Sequence, residues 1–296
     1  MLRWLWWTGG GLLLAITCGI LLVGVASWRW RRMTGGLIGQ LTRPVETDVA
    51  GVISRSSVDS FALLPPPVQR YFLAVLRDGQ PMVRMARLTQ TGTFRMLGSD
   101  THGGSDFGWS RFRAREVFVT EPPGFVWDAR IRTAPFLSVH VRDRYLHGQG
   151  SMLGAVLGLV NVVDEHDKPE LDAGALHRYL AETVWFPTAL LPGQGVTWTP
   201  VDDSHAVATL SNGGRMVSLE FSFASTGEIT GAFTPNRYRE EGGRYVLAPW
   251  GAICRHYEEC GGMRIPMECE AYWKVGDKIL PYWRGQITHA DYDFAP

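Results

Sequence analysis

The sequence has no excess of charge of either sign, because 29 basic residues balance 29 acidic ones. No basic stripe occurs outside the segment that follows the N-terminal hydrophobic run. Binding to nucleic acid needs a dense array of lysine and arginine that displaces counterions from phosphates. The charge balance therefore argues against a nucleic-acid partner.

Cysteine is scarce, since Cys18 lies in the hydrophobic run and the other three lie within residues 254–269. No C-x-x-C pair is present, so neither a zinc site nor a thioredoxin-type redox motif is indicated. If the glycines at 261–262 form a two-residue hairpin turn, Cys254 and Cys269 face each other at a separation that a disulfide can bridge. Free buried thiols and a disulfide both remain open.

The motifs of common enzyme classes are missing as well. The sequence has no G-x-S-x-G, no P-loop, no G-x-G-x-x-G after a strand and no H-E-x-x-H. His289, Asp291 and Asp293 alternate near the C-terminus and could share a face as hard metal ligands. Exposed polar positions on a terminal strand give the same pattern. We predict no metal site, no cofactor and no catalytic residues.

What the sequence does contain, at its start, is a long hydrophobic segment: residues 4–28 carry no charge. About 20 apolar residues in a helix span a hydrocarbon core of about 30 Å. Tryptophans at both ends are typical of residues at headgroup depth; they are Trp4, Trp6, Trp7, Trp28 and Trp30. A cleaved signal peptide would have a shorter apolar region and a small-x-small cleavage site. We predict a single-pass anchor with its basic flank in residues 1–32, which contacts the bilayer through residues 4–30.

The rest of the chain divides into a weakly periodic juxtamembrane connector, residues 33–64, with room for a short helix, and a globular domain, residues 65–296. Prolines at 65–67 precede an apolar stripe at helical spacing, which ends at Asp78 and Gly79. A second helix is predicted after Asp172, which we expect to be its N-cap. It runs through AGALHRYLAETVW, with Arg178 and Glu182 spaced i, i+4.

Elsewhere the hydrophobic period is two, which predicts strands. The segments 83–95, 110–119 and 217–223 alternate; in the first, Val83 and Met85 share one face and Gln90 lies on the polar face. Asn212 and Gly213 are expected to form a type I′ hairpin turn. Together the elements predict an α+β domain built on an extended antiparallel sheet.

Charged and aromatic residues of this domain are the candidates for a site. Asp128 and Arg130 lie in one predicted strand and Arg142, Asp143 and Arg144 in the next. They form either a solvated salt-bridge ladder or a polar cluster at the mouth of a cavity. Glu182 is either a surface partner of Arg178 or a cavity carboxylate. Five aromatic residues either line an apolar pocket or pack in the core; they are Trp127, Trp185, Phe186, Trp250 and Trp283.

Residues 65–292 resemble an uncharacterised family of bacterial domains. The resemblance rests on long strings: PPGFVWDARI (122–131), VRDRYLHGQGSM (141–152), HRYLAETVWFPTALLP (177–192), TLSNGG (209–214), APW (248–250), YEECGGMRIP (257–266) and PYWRGQIT (281–288). The family has no established activity, so the resemblance implies no catalytic residues.

The order of elements is also similar to lipoprotein-carrier folds of the LolA and LppX type. That similarity implies a large curved antiparallel sheet that wraps two or three helices, preceded here by one N-terminal transmembrane helix. It also implies an apolar cavity for acyl chains and an extracytoplasmic domain. The flanking arginines Arg29, Arg31 and Arg32, against Arg3 and the amino terminus, slightly favour the cytoplasmic side instead.

Three functions follow as hypotheses. The first is a membrane-anchored binding module for a lipid or another apolar ligand, since such a pocket is concave and mostly apolar. The second is an assembly partner without a ligand. The third is an enzyme whose dispersed site uses Asp128, Arg130, Arg144 and Glu182, and clustered carboxylates with shifted pKa values would support it.

Overall fold

The structure, a computed structural model, describes residues 2–43, 61–95 and 108–295, with side chains from Leu13 onward. Its described part contains three α-helices: α1, Leu2–Leu41; α2, Pro66–Val75; and α3, Pro169–Glu182. Three 3₁₀ turns follow α3 at Thr183–Trp185, Pro187–Leu190 and Pro192–Gln194. The thirteen strands are β1 Val83–Arg95, β2 Trp109–Thr120, β3 Pro123–Ala134, β4 Leu137–Leu146, β5 Gln149–Val156, β6 Val160–Glu165, β7 Val196–Pro200, β8 His205–Asn212, β9 Arg215–Phe223, β10 Ile229–Glu241, β11 Arg244–Cys260, β12 Met263–Val275 and β13 Lys278–Phe294.

All thirteen strands belong to one antiparallel sheet, in the order β6-β5-β4-β3-β2-β1-β13-β12-β11-β10-β9-β8-β7. Two meanders, β1–β6 and β7–β13, meet where β1 pairs with β13. The segment between the meanders holds α3 and the 3₁₀ turns. The predicted α+β class with a large antiparallel sheet is confirmed.

The sheet curls until turns from its two halves touch. A Cβ built on Gly148, in the β4–β5 turn, would lie 2.7 Å from the Cα of Gly213 in the β8–β9 turn. Next to this contact the Tyr145 hydroxyl donates to the Asn212 side-chain oxygen at 2.9 Å. The sheet is therefore a half-barrel, as expected for a strongly twisted sheet of so many strands.

The concave face of the half-barrel carries the core. Along β9 the residues Val217, Leu219, Phe221 and Phe223 point inward and are buried, in the predicted period of two. α2 contributes its predicted apolar face, Val68, Tyr71, Phe72 and Val75, and begins with prolines in its first turn. α3 lies inside the curl, so both meanders enclose it.

The N-terminal helix extends further than the sequence indicated. Residues 33–41, assigned to the connector, continue α1 to Leu41, and residues 44–60 lie outside the described part of the chain. From Ala26 onward one side of α1 packs on the convex face of the sheet, where Leu41 joins a small apolar cluster with Val126 and Leu146. This tertiary packing overrides the poor helix propensity of the glycines in this segment.

Some local predictions are confirmed and others are wrong. Gly261 and Gly262 form the predicted hairpin turn, with φ of 60° and 82°. The β8–β9 turn is shifted by one residue, because Asn212 pairs with Arg215 and the turn is Gly213–Gly214. A bulge between Val83 and Met85 changes the face of β1. Gln90 consequently lies on the inner face, fully buried.

The start of α3 also differs from the prediction. Its N-cap is Lys168, and Pro169 occupies the first turn. Asp172 lies inside the helix, where its carboxylate accepts a hydrogen bond from the backbone N–H of Gly150 at 2.8 Å. Asp172 therefore fastens α3 to β5 instead of capping the helix.

Candidate functional site

One arginine of α3 gathers three carboxylates inside the half-barrel. Arg178 donates from Nη2 to Glu116 on β2 (2.7 Å), from Nη1 to Asp143 on β4 (2.6 Å) and from Nε to Glu182 on its own helix (2.9 Å). The side chain of Glu116 is fully buried and that of Arg178 is 15% exposed. We call these four residues the ion cluster.

A further layer of hydrogen bonds holds the ion cluster in place. Gln90 on β1 donates to the second oxygen of Glu116 at 2.8 Å, and Trp127 on β3 donates to the oxygen of Gln90 at 2.9 Å. The guanidinium of Arg178 lies over the rings of Phe125 and Trp127, 4.9 and 5.0 Å from their centroids. Four adjacent strands are thereby tied to α3 through one cation.

The electrostatics of the ion cluster are unbalanced, because three acids surround one base. Burial raises the pKa of Glu182 to about 7, although Arg178 acts in the opposite sense. Burial, followed by repulsion from Glu182, raises the pKa of Glu116 well above its usual range. The neighbouring carboxylates raise the pKa of Arg178 despite its burial. Burial therefore favours the protonated forms of Glu116 and Glu182 more than water does.

The geometry of the ion cluster favours a structural role over a catalytic one. We call this role a clamp, because Arg178 holds α3 against strands β2 and β4. A general acid or base must reach a proton of its substrate, whereas each of these carboxylates is engaged by Arg178. Of the four residues proposed for a dispersed enzyme site, only Glu182 belongs to the cluster. The sequence left Glu182 either as a surface partner of Arg178 or as a cavity carboxylate; the pair lies half-buried against the sheet.

A second cluster surrounds Arg237 of β10. Its guanidinium stacks on Trp250 at 4.4 Å and lies 5.6 Å from the ring centroid of Trp273. It donates to the Tyr282 hydroxyl at 3.3 Å and to the carbonyl of Gly174 on α3 at 3.1 Å. Phe94, at the end of β1, meets Tyr282 edge-on at 6.2 Å. We call this half-buried set the Arg237 cluster; no carboxylate of the described residues forms an ion pair with Arg237.

The remaining charged candidates lie on the convex face. Asp128 pairs with Arg142 across β3 and β4, so the predicted adjacency of these strands is confirmed. Asp128 accepts a hydrogen bond from Nε1 of Trp30 at 2.8 Å, and the guanidinium of Arg142 lies 4.2 Å from the Trp30 ring centroid. Arg142 also donates to Thr34 at 3.0 Å. We call Trp30, Thr34, Asp128 and Arg142 the α1 dock.

Arg130 and Arg144 lie beside this dock and bind serines instead of acids. Arg130 donates to Ser138 at 3.0 Å and Arg144 to Ser151 at 2.6 Å. The alternation of strands explains the division, because Trp127 and Asp143 point inward while Asp128, Arg130 and Arg144 point outward. Six of the nine candidate residues thus lie on two faces of one sheet, and Glu182, Trp185 and Phe186 lie in α3 and the turns that follow it.

The aromatic candidates are buried in the core. Trp185 stacks between Phe118 and Trp283, with ring centroids 6.3 Å from each, and Phe186 lies 4.8 Å from Phe118. Two cavities of about 330 and 410 Å³ are found in the described part of the chain. Neither is lined by Trp127, Trp185, Phe186, Trp250 or Trp283. Ligand contact by these five residues stays a prediction.

The cysteine register is confirmed. Cys254 pairs with Cys269 across β11 and β12, and their sulfurs lie 3.5 Å apart as free thiols. Burial and the hydrogen bond between the sulfurs raise the pKa of Cys269 well above its usual range. A high thiol pKa leaves little reactive thiolate, and both side chains pack with the apolar core.

The family of the chain can now be stated. A family described as "Family of unknown function (DUF6920)" matches residues 62–292. The chain belongs to the DUF6920 family. The match covers the globular domain and stops short of α1. No curated protein sequence matches the chain.

Two solved structures are similar to this DUF6920 chain, with low sequence identity and low TM-scores. One is a LolA superfamily protein from Nitrosomonas europaea, with 11% identity, a TM-score of 0.28, and coverage of 78% of this chain and 93% of that chain. The other is a beta-barrel-like protein of the DUF1849 family from Brucella abortus, with 9% identity, a TM-score of 0.26, and coverage of 72% and 99%.

Sequence reasoning missed three polar residues inside this DUF6920 domain: Gln90, Glu116 and Arg237. A signal existed for Glu116, because it follows Phe112 and Ala114 at a spacing of two and precedes Phe118. A carboxylate on an apolar strand face needs a buried partner. For Arg237 the bulge between Thr234 and Arg237 breaks the alternation, so no local pattern indicated its direction.

Proposed function

We propose that the chain is a membrane-anchored binding module that receives an apolar or amphipathic ligand at the open end of the half-barrel. The observation that carries this proposal is the position of the Arg237 cluster. It combines aromatic rings with a cation that forms no ion pair among the described residues, and its edge at Phe94 lies near the end of the sheet from which the free part of α1 projects.

The direction of α1 follows from its contacts with the sheet. Leu41 lies near Gly124, at the start of β3, and Trp30 binds Asp128 in the middle of that strand. Ala26 lies near Gly158 in the β5–β6 turn. α1 therefore leaves the sheet at the end formed by the β3–β4 and β5–β6 turns, which we call the proximal end.

The part of α1 that projects from the proximal end is apolar and exposed. Residues 13–41 are long and apolar enough to cross a membrane, judged by length and composition. Exposed apolar side chains occupy its free part; they are Leu13, Leu14, Ile16, Ile20, Leu21, Leu22 and Val25. Residues 2–25 would span roughly 36 Å as a helix, enough for a hydrocarbon core of about 30 Å. The tryptophans at positions 4, 6 and 7 lie outside the described side chains.

The α1 dock supports a retained anchor over a cleaved signal sequence. Removal of α1 would leave Asp128 without its Trp30 donor and would uncover Arg142, which is buried beneath the helix. Trp30 itself, predicted at headgroup depth, is buried on the sheet, whereas Trp28 is exposed. The extracytoplasmic location of the domain stays a prediction.

Replacing Trp30 tests whether α1 is part of the fold. Trp30→Phe keeps an aromatic ring but removes the N–H that binds the Asp128 carboxylate. A lost hydrogen bond to a charged group costs about 1.5–3 kcal/mol, and we expect the thermal unfolding midpoint in detergent to fall by several degrees. Trp28→Phe makes the same change at an exposed position and should leave the midpoint unchanged. Equal unfolding midpoints for the two variants would show that α1 does not contribute to the stability of the folded domain.

The strand register places the Phe94 edge of the Arg237 cluster near the proximal end. Phe94 pairs with Ser110 on β2, and the next residue, Arg111, pairs with Arg132 near the β3–β4 turn. A ligand from the bilayer could therefore enter beside Phe94 and Tyr282 and place a negative headgroup against Arg237. Ligand binding at this position would leave the packing of the buried core residues unchanged.

Native mass spectrometry of the detergent-extracted full chain tests the ligand. We expect wild-type protein to carry co-purified anionic lipid, and Arg237→Gln to reduce the lipid-bound fraction about tenfold, equivalent to about 1.4 kcal/mol. Arg244→Gln, at an exposed position on β11, is the matched control and should retain the lipid. Wild-type protein without adducts, or equal loss in both variants, would contradict the proposal. Circular dichroism confirms that both variants are folded.

A further inference from the structure

The proximal end of the sheet exposes apolar side chains at two neighbouring turns. Phe136, in the β3–β4 turn, is 100% exposed, and Leu137 follows it. In the β5–β6 turn Leu159 is 47% exposed and Val160 is 62% exposed. Large apolar side chains grouped in this way mark an interaction surface.

Backbone conformation adds to this observation. Phe136 has a φ of 63°, a left-handed conformation that is uncommon for a bulky residue. Glycine or asparagine would occupy this turn position with less strain. A phenylalanine held in this strained conformation with its ring in solvent indicates that the ring takes part in an interaction.

The two turns form one rim beside the exit of α1. The backbone N–H of Leu157 donates to the carbonyl of Ser138 at 2.8 Å, which joins the turns. A Cβ built on Gly158 would lie 3.7 Å from the backbone of Ala26. The rim is therefore continuous with the exposed apolar surface of α1, whose free part begins at Val25.

Arginines stand opposite one another just behind this rim. On the convex face Arg111 pairs with Arg132 and Arg113 pairs with Arg130, and all four are exposed. No carboxylate of the described residues forms an ion pair with any of the four. Like charges that face each other across strands are destabilising, so an anion bound between them would relieve the repulsion. We call these four residues the arginine ladder.

The distance between rim and ladder fits a bilayer surface. Arg132 precedes Phe136 by four residues, which corresponds to roughly 13 Å along a strand. Headgroup regions add about 5–8 Å on each side of the hydrocarbon core, and arginine side chains can reach toward that layer from above. Phe136 at the hydrocarbon boundary would thus bring the ladder within reach of lipid phosphates.

We propose that the rim and the arginine ladder form a second membrane-contact surface, which inserts Phe136 and Leu159 at the boundary of an anionic bilayer and binds phospholipid headgroups through Arg111 and Arg132. The inference rests on the proposed membrane anchor. It fixes the half-barrel in one orientation on the bilayer, where a single helix alone would allow rotation.

Photocrosslinking of the full chain in lipid nanodiscs tests the rim. p-Benzoylphenylalanine in place of Phe136 should form lipid adducts at least tenfold more often than the same residue in place of Met216. Met216 is an exposed apolar residue that follows the β8–β9 turn. That turn touches the far end of β4, roughly 30 Å from the rim. Equal adduct yields at the two positions would overturn the proposal.

Lipid composition tests the ladder. Adducts at position 136 should increase severalfold when phosphatidylglycerol is added to phosphatidylcholine, and Arg111→Ser with Arg132→Ser should abolish this increase. Arg244→Ser is the control and should preserve it. An increase that survives in the double variant would overturn the headgroup assignment.

The failure of the rim and the failure of the anchor give different results. If α1 is removed as a signal sequence, intact mass will show a chain without its N-terminal residues, and that chain will leave the membrane in alkaline carbonate. If only the rim is wrong, the intact chain stays in the nanodisc while position 136 remains without lipid adducts. Absence of a bound lipid in native mass spectrometry affects neither outcome.

Discussion

Replacing Arg178 by methionine is expected to destabilise the domain by about 3–5 kcal/mol, the cost of removing one partner from a buried ion pair. Methionine preserves most of the side-chain volume but leaves Glu116, Asp143 and Glu182 buried without a cation. Their carboxylates would then have to be protonated or hydrated, and both require the contact between α3 and β2 to loosen. Urea unfolding of the detergent-solubilised full chain, followed by tryptophan fluorescence, measures the loss.

Arg87→Met is the matched control for this prediction. Arg87 also binds two acids, Asp291 at 2.8 Å and Asp293, but its side chain is 41% exposed. Exposed ion pairs contribute about 0–1 kcal/mol, so the same substitution should be nearly neutral here. Similar losses of stability at the two positions would show that Arg178 does not hold α3 on the sheet more strongly than an exposed ion pair would.

Removing the acids should compensate for the loss of Arg178. We expect Arg178→Met combined with Glu116→Gln and Glu182→Gln to recover a large part of the stability, because neutral amides carry no uncompensated charge. This triple variant keeps the prediction testable if Arg178→Met alone fails to fold. A triple variant less stable than Arg178→Met would indicate that the acids have another function.

Hairpins and regular strands could be predicted from the sequence because their determinants are local. The inward residues of β9 follow a strict period of two, and the glycine pair 261–262 sets the register that brings Cys254 opposite Cys269. The helix after the prolines at 65–67 follows from apolar spacing. The family resemblance, placed at residues 65–292 and found at 62–292, rests on strings that lie mostly in these elements.

Errors arose where contacts between distant segments decide the structure. Residues 33–41 contain two adjacent glycines and look like a connector, but β3 and β4 supply the surface that keeps them helical. Asp172 resembles an N-cap, yet Pro169 starts the helix and Gly150 takes the carboxylate. Such choices depend on partners that no sequence window contains.

The candidate site illustrates the same limit. Arg178 and Glu182 form an i, i+4 pair that is usual on helix surfaces, and only the curl of the sheet around α3 buries them. Asp128 and Trp127 are neighbours in sequence, but they face opposite sides of β3, one toward α1 and the other toward the ion cluster. The alternation of side chains along β3 and β4 therefore divides the charged candidates between the two faces of the sheet.

The ion cluster should make stability depend on pH through Glu182. Burial raises the pKa of Glu182 to about 7 in the folded state, against about 4.3 in an unfolded chain. Between these values the folded state keeps a proton that the unfolded state releases, so the free energy of unfolding falls as the pH rises. The shift corresponds to about 4 kcal/mol, fully lost above about pH 7.

Two buried histidines change the free energy of unfolding with pH in the opposite sense. Their contribution must be separated from that of Glu182. Burial lowers the pKa of His177 to about 4 and also lowers the pKa of His140. Both shifts remove stability as the pH falls below about 6.5. A pH profile of wild-type protein alone therefore mixes opposing slopes. The difference between wild-type protein and Glu182→Gln cancels the histidine contributions and leaves those of Glu182 and of its neighbour Glu116, whose pKa Glu182 raises.

We expect the stability of Glu182→Gln, relative to wild type, to rise by about 3 kcal/mol between pH 5 and pH 8, the range over which wild-type Glu182 loses its proton. Urea midpoints at several pH values measure this difference. Glu259→Gln is the control, because Glu259 pairs with Arg77 at an exposed position and its difference profile should be flat. A flat profile for Glu182→Gln would mean that Arg178 neutralises all three acids and that no proton is held in the cluster. The clamp would then be fixed in charge, and its hold on α3 would not vary with the pH at the membrane surface.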